Sequence, residues 1–154
     1  MKALHEIASL VRKLTEEVSI DVRDYCFADH FPSGWCQDTS RVLGKLLQNL
    51  GFDGFILVVG RRELIIDTAT GRGSQPTHVW LEREGVIVDI TADQFAEEIS
   101  HSVLVTADHS WHDTWQEQQK YDLDELSGKL ELALYKAIAD HPNWRNRSQA
   151  LLKP

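Results

Sequence analysis

The chain has 154 residues, of which 42% are hydrophobic and 26% charged, the balance of one globular domain rather than a disordered segment. Its 16 basic residues against 24 acidic ones give a formal net charge of −8, which argues against a nucleic-acid partner because neutralising phosphates takes a basic face. No apolar run approaches the ~20 residues of a membrane span, and the start of the chain, with Lys2, His5 and Glu6, carries no secretory h-region.

In chain order, Leu4, Ile7, Val11, Leu14 and Val18 follow the three-and-four spacing of an amphipathic helix. Asp21 to Pro32 reads as irregular chain, with Tyr25, Cys26, Phe27 and Phe31 tucked into the core. Pro32 keeps Phe31 extended, and Ser33 is the expected N-cap of a second helix whose apolar stripe is Val42, Leu43, Leu46, Leu47 and Leu50. Gly51 is its expected C-cap. The run from Gly54 to Gly60 then reads as a buried strand, Glu63 to Asp67 as another, and Thr68 to Pro76 as a loop. Its Gly71-Arg-Gly73 is either a lid or a simple connection. The Arg61–Arg62 pair reads as a solvated strand end. Thr77 to Glu82 and Val86 to Thr91 alternate as the arms of a hairpin, and Val103 to Thr106 is a last strand. From Trp111 to Ala139 the spacing of Leu123, Leu126, Leu130, Leu132 and Leu134 reads as helical. Pro142 ends it, and a loosely held tail follows. The expected fold is α+β, with helices on an antiparallel sheet. Its parts are an N-terminal helix and lead-in (1–32), a core (33–106) and a C-terminal helical extension (107–154).

The two cysteines make no disulfide framework, and a Cys26–Cys36 pair stays open. A reducing cytoplasm is the expected location, and a secreted effector without a cleavable signal fits the same sequence. Cys26, between Tyr25 and Phe27, reads as structural. Cys36 falls in the first turn of the second helix, where free N–H groups and the helix dipole favour a thiolate. Gly34 leaves room for a substrate backbone, and the Cys36 N–H is placed to hold an oxyanion. On the hairpin, parity decides whether His78 and Asp89 share a face. A two-residue turn at Glu84-Gly85 places them diagonally, a four-residue loop places them opposite, and a three-residue loop separates them. An Asp beside a His orients an imidazole base. The bland alternative is a buried cysteine and a solvated strand face.

Gly34-Trp-Cys-Gln-Asp-Thr-Ser through Leu50-Gly51 resembles the nucleophile helix of transglutaminase-like cysteine enzymes. His78-Val-Trp-Leu-Glu82 followed by Val88-Asp-Ile-Thr91 is similar to the same superfamily's His and Asp motifs. The resemblance runs from Gly34 to Phe95 and is nearest to small bacterial members, not calcium-dependent animal enzymes. It implies a papain-like fold with Cys36 as nucleophile, His78 as base and Asp89 as orienter, and no cofactor. The wider group often places a Gln upstream of the cysteine as an oxyanion donor; here His30 stands in that position. Trp35 and Trp80 adjoin the expected site, either as its walls or as ordinary core aromatics with one polar edge. His109-Ser-Trp-His112 has a spacing that suits a metal, but without an accompanying base motif it reads as a polar loop, and no metal is expected.

The expected function is acyl transfer from an amide in a peptide or protein, with hydrolysis or deamidation ranked above cross-linking. The rival is a catalytically silent papain-like module that binds a partner protein. With a charge of −8, the cleft of such an enzyme is expected to favour neutral or basic segments.

Overall fold

The apolar spacing of the first segment forms α1 (Lys2–Val22), in a computed structural model that describes residues 1–25 and 30–151. Ile7, Val11 and Leu14 on its inner face are fully buried, and Arg12 is buried beside them. The helix runs past Val18 into a 3-10 turn at Arg23–Tyr25, where irregular chain was expected. Tyr25 is exposed rather than tucked in, and Phe31 packs partly buried against the core. Cys26 and Phe27 lie outside the described residues.

The second helix, α2 (Cys36–Asn49), begins later than the expected cap at Ser33; Trp35 is its N-cap, with no side-chain cap bond. The reason is Gly34, whose φ of +76° is outside helical geometry, in a turn closed by Trp35 N–H donating to Pro32 O at 3.1 Å. Cys36 is therefore the first helical residue.

The strands are β1 (Ile56–Arg61), β2 (Ile65–Ile66), β3 (Gly73–Ser74), β4 (Thr77–Arg83), β5 (Val86–Asp89), β6 (Leu104–Thr106) and β7 (Glu117–Asp122). Five of them form one antiparallel sheet in the order β6-β5-β4-β1-β7. The expected loop at 68–76 contains β3, which pairs with β2 in a separate exposed ribbon. Two helices close the chain, α3 (Lys129–Asp140) and α4 (Pro142–Leu151).

The C-terminal third departs most from expectation. Its first half is not helical: it supplies β7, which pairs along the whole of β1. Every residue of β7 is exposed, so the strand is held by main-chain bonds and carries no apolar alternation to announce it. The tail is also a helix, anchored by Trp144, which is buried with Ser148. Pro142 opens it, since a first-turn proline forfeits no helical hydrogen bond.

Alternation divides the sheet's residues between two cores. Leu57, Val79, Leu81, Val88 and Ile90 join α1, α2 and α3 in the main one. Val58, Trp80 and Ile87 face away from the helices and pack with Trp115 in a smaller one. Gly60 has no side chain because Trp115 and Trp80 fill its place: a Cβ there would lie 2.7 Å from Trp115 Cβ and 2.8 Å from the Trp80 ring.

Candidate active site

The β4–β5 turn sets the geometry. Arg83 pairs with Val86 across Glu84-Gly85, whose φ values of +51° and +75° are those of a tight primed hairpin turn. This is the two-residue register, so His78 and Asp89 share a face as diagonal neighbours. They meet directly: His78 Nε2 lies 2.6 Å from Asp89 Oδ2, and both residues are fully buried. The face is thus the inside of the smaller core, not a solvated one.

His78 and Cys36 start from opposite sides of the sheet, and a split between β4 and β5 brings them together. The ladder ends at the Leu81–Val88 pair. Beyond it the Val79 carbonyl accepts from Ser40 Oγ of α2 at 3.1 Å, and the Ile90 carbonyl accepts from Arg12 of α1 at 2.7 Å. Helix side chains thereby satisfy backbone groups that the diverging strands leave open. Ser40 lies one turn after Cys36, so the bond to Val79 draws the start of α2 into the split beside His78.

Nδ1 of His78 has Gln94 Nε2 as its hydrogen-bond partner at 2.9 Å, and the Cys36 thiol is among the groups that raise the pKa of the ring. Gln94 Nε2 also donates to Thr91 O at 3.1 Å. An amide placed between two acceptors presents N–H to both, an arrangement that suits an imidazole with Nδ1 unprotonated and the proton on Nε2, towards Asp89. Burial pushes the His78 imidazole down, but the charge and hydrogen bond of Asp89, and then the Cys36 thiol, outweigh it and lift its pKa to about 9. Burial likewise pushes the Asp89 carboxyl up. The charge of His78, with hydrogen bonds from His112 and His78, overrides this and holds it well below the usual carboxylate range.

Two residues of this site were not singled out as partners of the pair: Gln94 and His112. His112 Nε2 lies 3.1 Å from Asp89 Oδ2. Asp89 Oδ1 accepts from Thr91 N–H at 2.9 Å and faces its hydroxyl at 3.4 Å. Among the described residues His78, Asp89 and His112 also form the one group compact enough to hold a metal. Their spacing is that of hydrogen bonds instead. Two ligands about 2.1 Å from a shared ion stand roughly 3.4 Å apart in tetrahedral geometry, whereas His78 Nε2 and Asp89 Oδ2 are 2.6 Å apart.

Aromatic rings enclose the histidine. Trp80, Phe95, Trp111 and Trp115 stand with centroids between 5.3 and 5.7 Å from the His78 ring. Outside them Arg62 binds Glu98 through both oxygens at 2.6 and 2.7 Å and lies 4.1 Å over the Trp115 ring, while Trp111 Nε1 donates to Glu98 at 2.8 Å. Of the expected walls, Trp80 flanks His78, but Trp35 is buried in the helix-side core, edge-on to Phe31. His30 is exposed. It lines a cavity of about 270 Å³ with Glu16, Arg23 and Trp35, and no hydrogen bond among the described residues joins it to Cys36. A second cavity, of about 300 Å³, lies between the start of α2 and β1, lined by Gln37, Arg41, Val59, Arg61, Tyr121 and Asp122.

Compared with family models, curated proteins and solved structures, the chain matches none. No helix among the described residues is long and apolar enough to cross a membrane.

Proposed function

We propose that the chain is a cysteine-dependent acyl-transfer enzyme with Cys36 as nucleophile, His78 as base and Asp89 as orienter. The observation that carries this reading is the buried His78–Asp89 pair, 2.6 Å apart, with Cys36 opening α2 and its thiol among the groups that raise the pKa of the same imidazole. A buried imidazole and carboxylate of this kind are what a thiol at a helix start needs to become a nucleophile at neutral pH.

The chemistry follows atom by atom. With Nε2 committed to Asp89, Nδ1 is the nitrogen that takes the Cys36 proton, and Gln94 swings aside as it arrives. The sulfur attacks the carbonyl carbon of an amide, and the N–H of Cys36, ahead of the helical ladder, stabilises the oxyanion. His78 returns the proton to the departing amine, leaving a thioester. Water, losing a proton to His78, then releases the acid and restores the thiol. Hydrolysis of a peptide or deamidation of a glutamine carboxamide is favoured over cross-linking, since nothing among the described residues indicates a second amine site. The groove beside Gln37 runs from the start of α2 along β1 and suits an extended segment of a peptide or protein substrate.

A second reading is a papain-like module that binds a partner protein without catalysis. Burial favours it: Cys36 is 9% exposed and His78 is fully enclosed. Alkylation by iodoacetamide across pH, mapped by mass spectrometry, separates the two. The enzyme requires Cys36 to react faster than Cys26 near neutrality, and Cys36→Ala to lose all activity while retaining bound substrate from lysate. Equal reactivity of the two thiols overturns it.

A further inference from the structure

The sequence pair His109 and His112 takes no part in the chemistry above, and the structure separates its members. His109 Nε2 bonds the Gly85 carbonyl at the surface, 2.8 Å away. His112 turns inward and is 1% exposed. Its ring packs edge-to-face with Trp80 and Trp111, each with its centroid 4.8 Å away. A position lined by tryptophans would suit a phenyl ring at least as well, so the polar edge of an imidazole calls for a reason. That edge faces Asp89 Oδ2 at 3.1 Å. An ionised carboxylate only accepts, so His112 carries a proton on Nε2 and donates it. Two imidazoles therefore donate to one oxygen of Asp89.

We propose that His112 is a positioning residue of the thiol site, fixing Asp89 and dividing its charge between two imidazoles, so that it sets how tightly His78 holds a proton. The assignment rests on the reading of His78 as the base for Cys36. A second donor on Oδ2 makes that oxygen a weaker acceptor for the first, because both draw on the same negative charge. His112 is also among the groups that keep the Asp89 carboxyl ionised in a fully buried site. Among the described residues, Arg12 and Arg62, the other charged groups near the pair, are already partnered. Cys36 approaches from α2. Arg12 of α1 binds Glu16 and Asp93, and Arg62 binds Glu98 beyond the Phe95 and Trp111 rings. The balance at His78 is therefore struck chiefly among Asp89, His112 and Cys36.

The test uses the full chain and three measurements: imidazole N–H and ring resonances by NMR, the pH titration of His78, and the rate of Cys36 alkylation against pH. In the wild type, two low-field imidazole N–H resonances are expected, one from each histidine bonded to Asp89. His112→Phe keeps a ring in the cage and removes the donor. It should abolish one resonance and raise the His78 titration midpoint by about one pH unit, a tenfold change in proton affinity. His112→Gln, which returns an amide N–H, should bring the midpoint most of the way back to the wild-type value. A purely packing role predicts the reverse pattern, with the His78 titration unmoved in His112→Phe. That result overturns the proposal, as does a single low-field resonance in the wild type, or zinc binding in place of both. If Cys36 proves no more reactive than Cys26 while both resonances are present and the shift and its rescue are seen, the thiol-enzyme reading fails and the two-imidazole carboxylate stands.

Discussion

Gln94 is the residue on which the protonation of the site turns. Its amide nitrogen lies between Thr91 O and His78 Nδ1, an arrangement that suits a neutral imidazole. Asp89 and the Cys36 thiol pull the other way, lifting His78 to about 9. The two demands are reconciled if Gln94 yields when Nδ1 takes a proton, because N–H would then face N–H. Gln94→Glu puts an acceptor in that place and favours the imidazolium. Cys36 alkylation in that variant is expected to gain about tenfold at mildly acidic pH, the scale of a hydrogen bond to a charged group. An unchanged pH–rate profile contradicts this account. Neither Gln94 nor His112 was legible as a partner of the pair. A glutamine in a 3-10 turn and a histidine amid tryptophans carry no periodic signal, and their partners are 16 and 23 residues away in the chain.

At the scale of elements, the site depends on two strands parting at the right residue. The turn at Glu84-Gly85 sets the register: the sequence left two-, three- and four-residue loops open, and the observed two-residue turn is one of the even ones that put His78 and Asp89 on one face. Beyond Val88 the parted strand is held from outside the sheet, by Arg12 of α1, buried and bonded to Ile90 O at 2.7 Å and to both oxygens of Asp93 at 2.7 and 2.8 Å. Asp93 precedes Gln94, so the same arginine anchors the turn that presents the amide to His78. Arg12→Ala would leave a carbonyl and a partly buried carboxylate without their donor. The expected loss is about 3–5 kcal/mol of unfolding free energy, checked by urea titration. The later start of α2 has a comparable logic. Ser33 offered a capping side chain, but the positive φ of Gly34 postponed the helix and made Cys36 its first residue.

For the whole molecule, the buried pair predicts a pH window of stability. The Asp89 pKa is depressed in the fold, so its contribution is present above the unfolded value, about 3.9, and is lost as pH falls through the folded one. His78 is raised to about 9. Its contribution is complete below the unfolded value, about 6.5, and is lost as pH rises through 9. The pair therefore stabilises the protein most between roughly pH 4 and 6.5. The difference in melting temperature between wild type and His78→Gln should be largest there and shrink steadily towards pH 9. A difference that is flat across this range refutes the pairing.

Much of the architecture was readable along the chain: α1, α2, the hairpin and the antiparallel α+β class. Each of these rests on local periodicity or on turn chemistry, which a chain carries within a few residues. The strand β7 and the helix α4 were not readable. The first is a polar edge held by main-chain bonds to β1, and the second is anchored through Trp144. Nor could the sequence say that the His78 face is enclosed, that Arg12 and Ser40 bond the carbonyls of the parted strands, or that Asp89 serves two histidines. Those are contacts between segments far apart in sequence, and only the tertiary fold brings such groups within hydrogen-bonding range and removes the water between them.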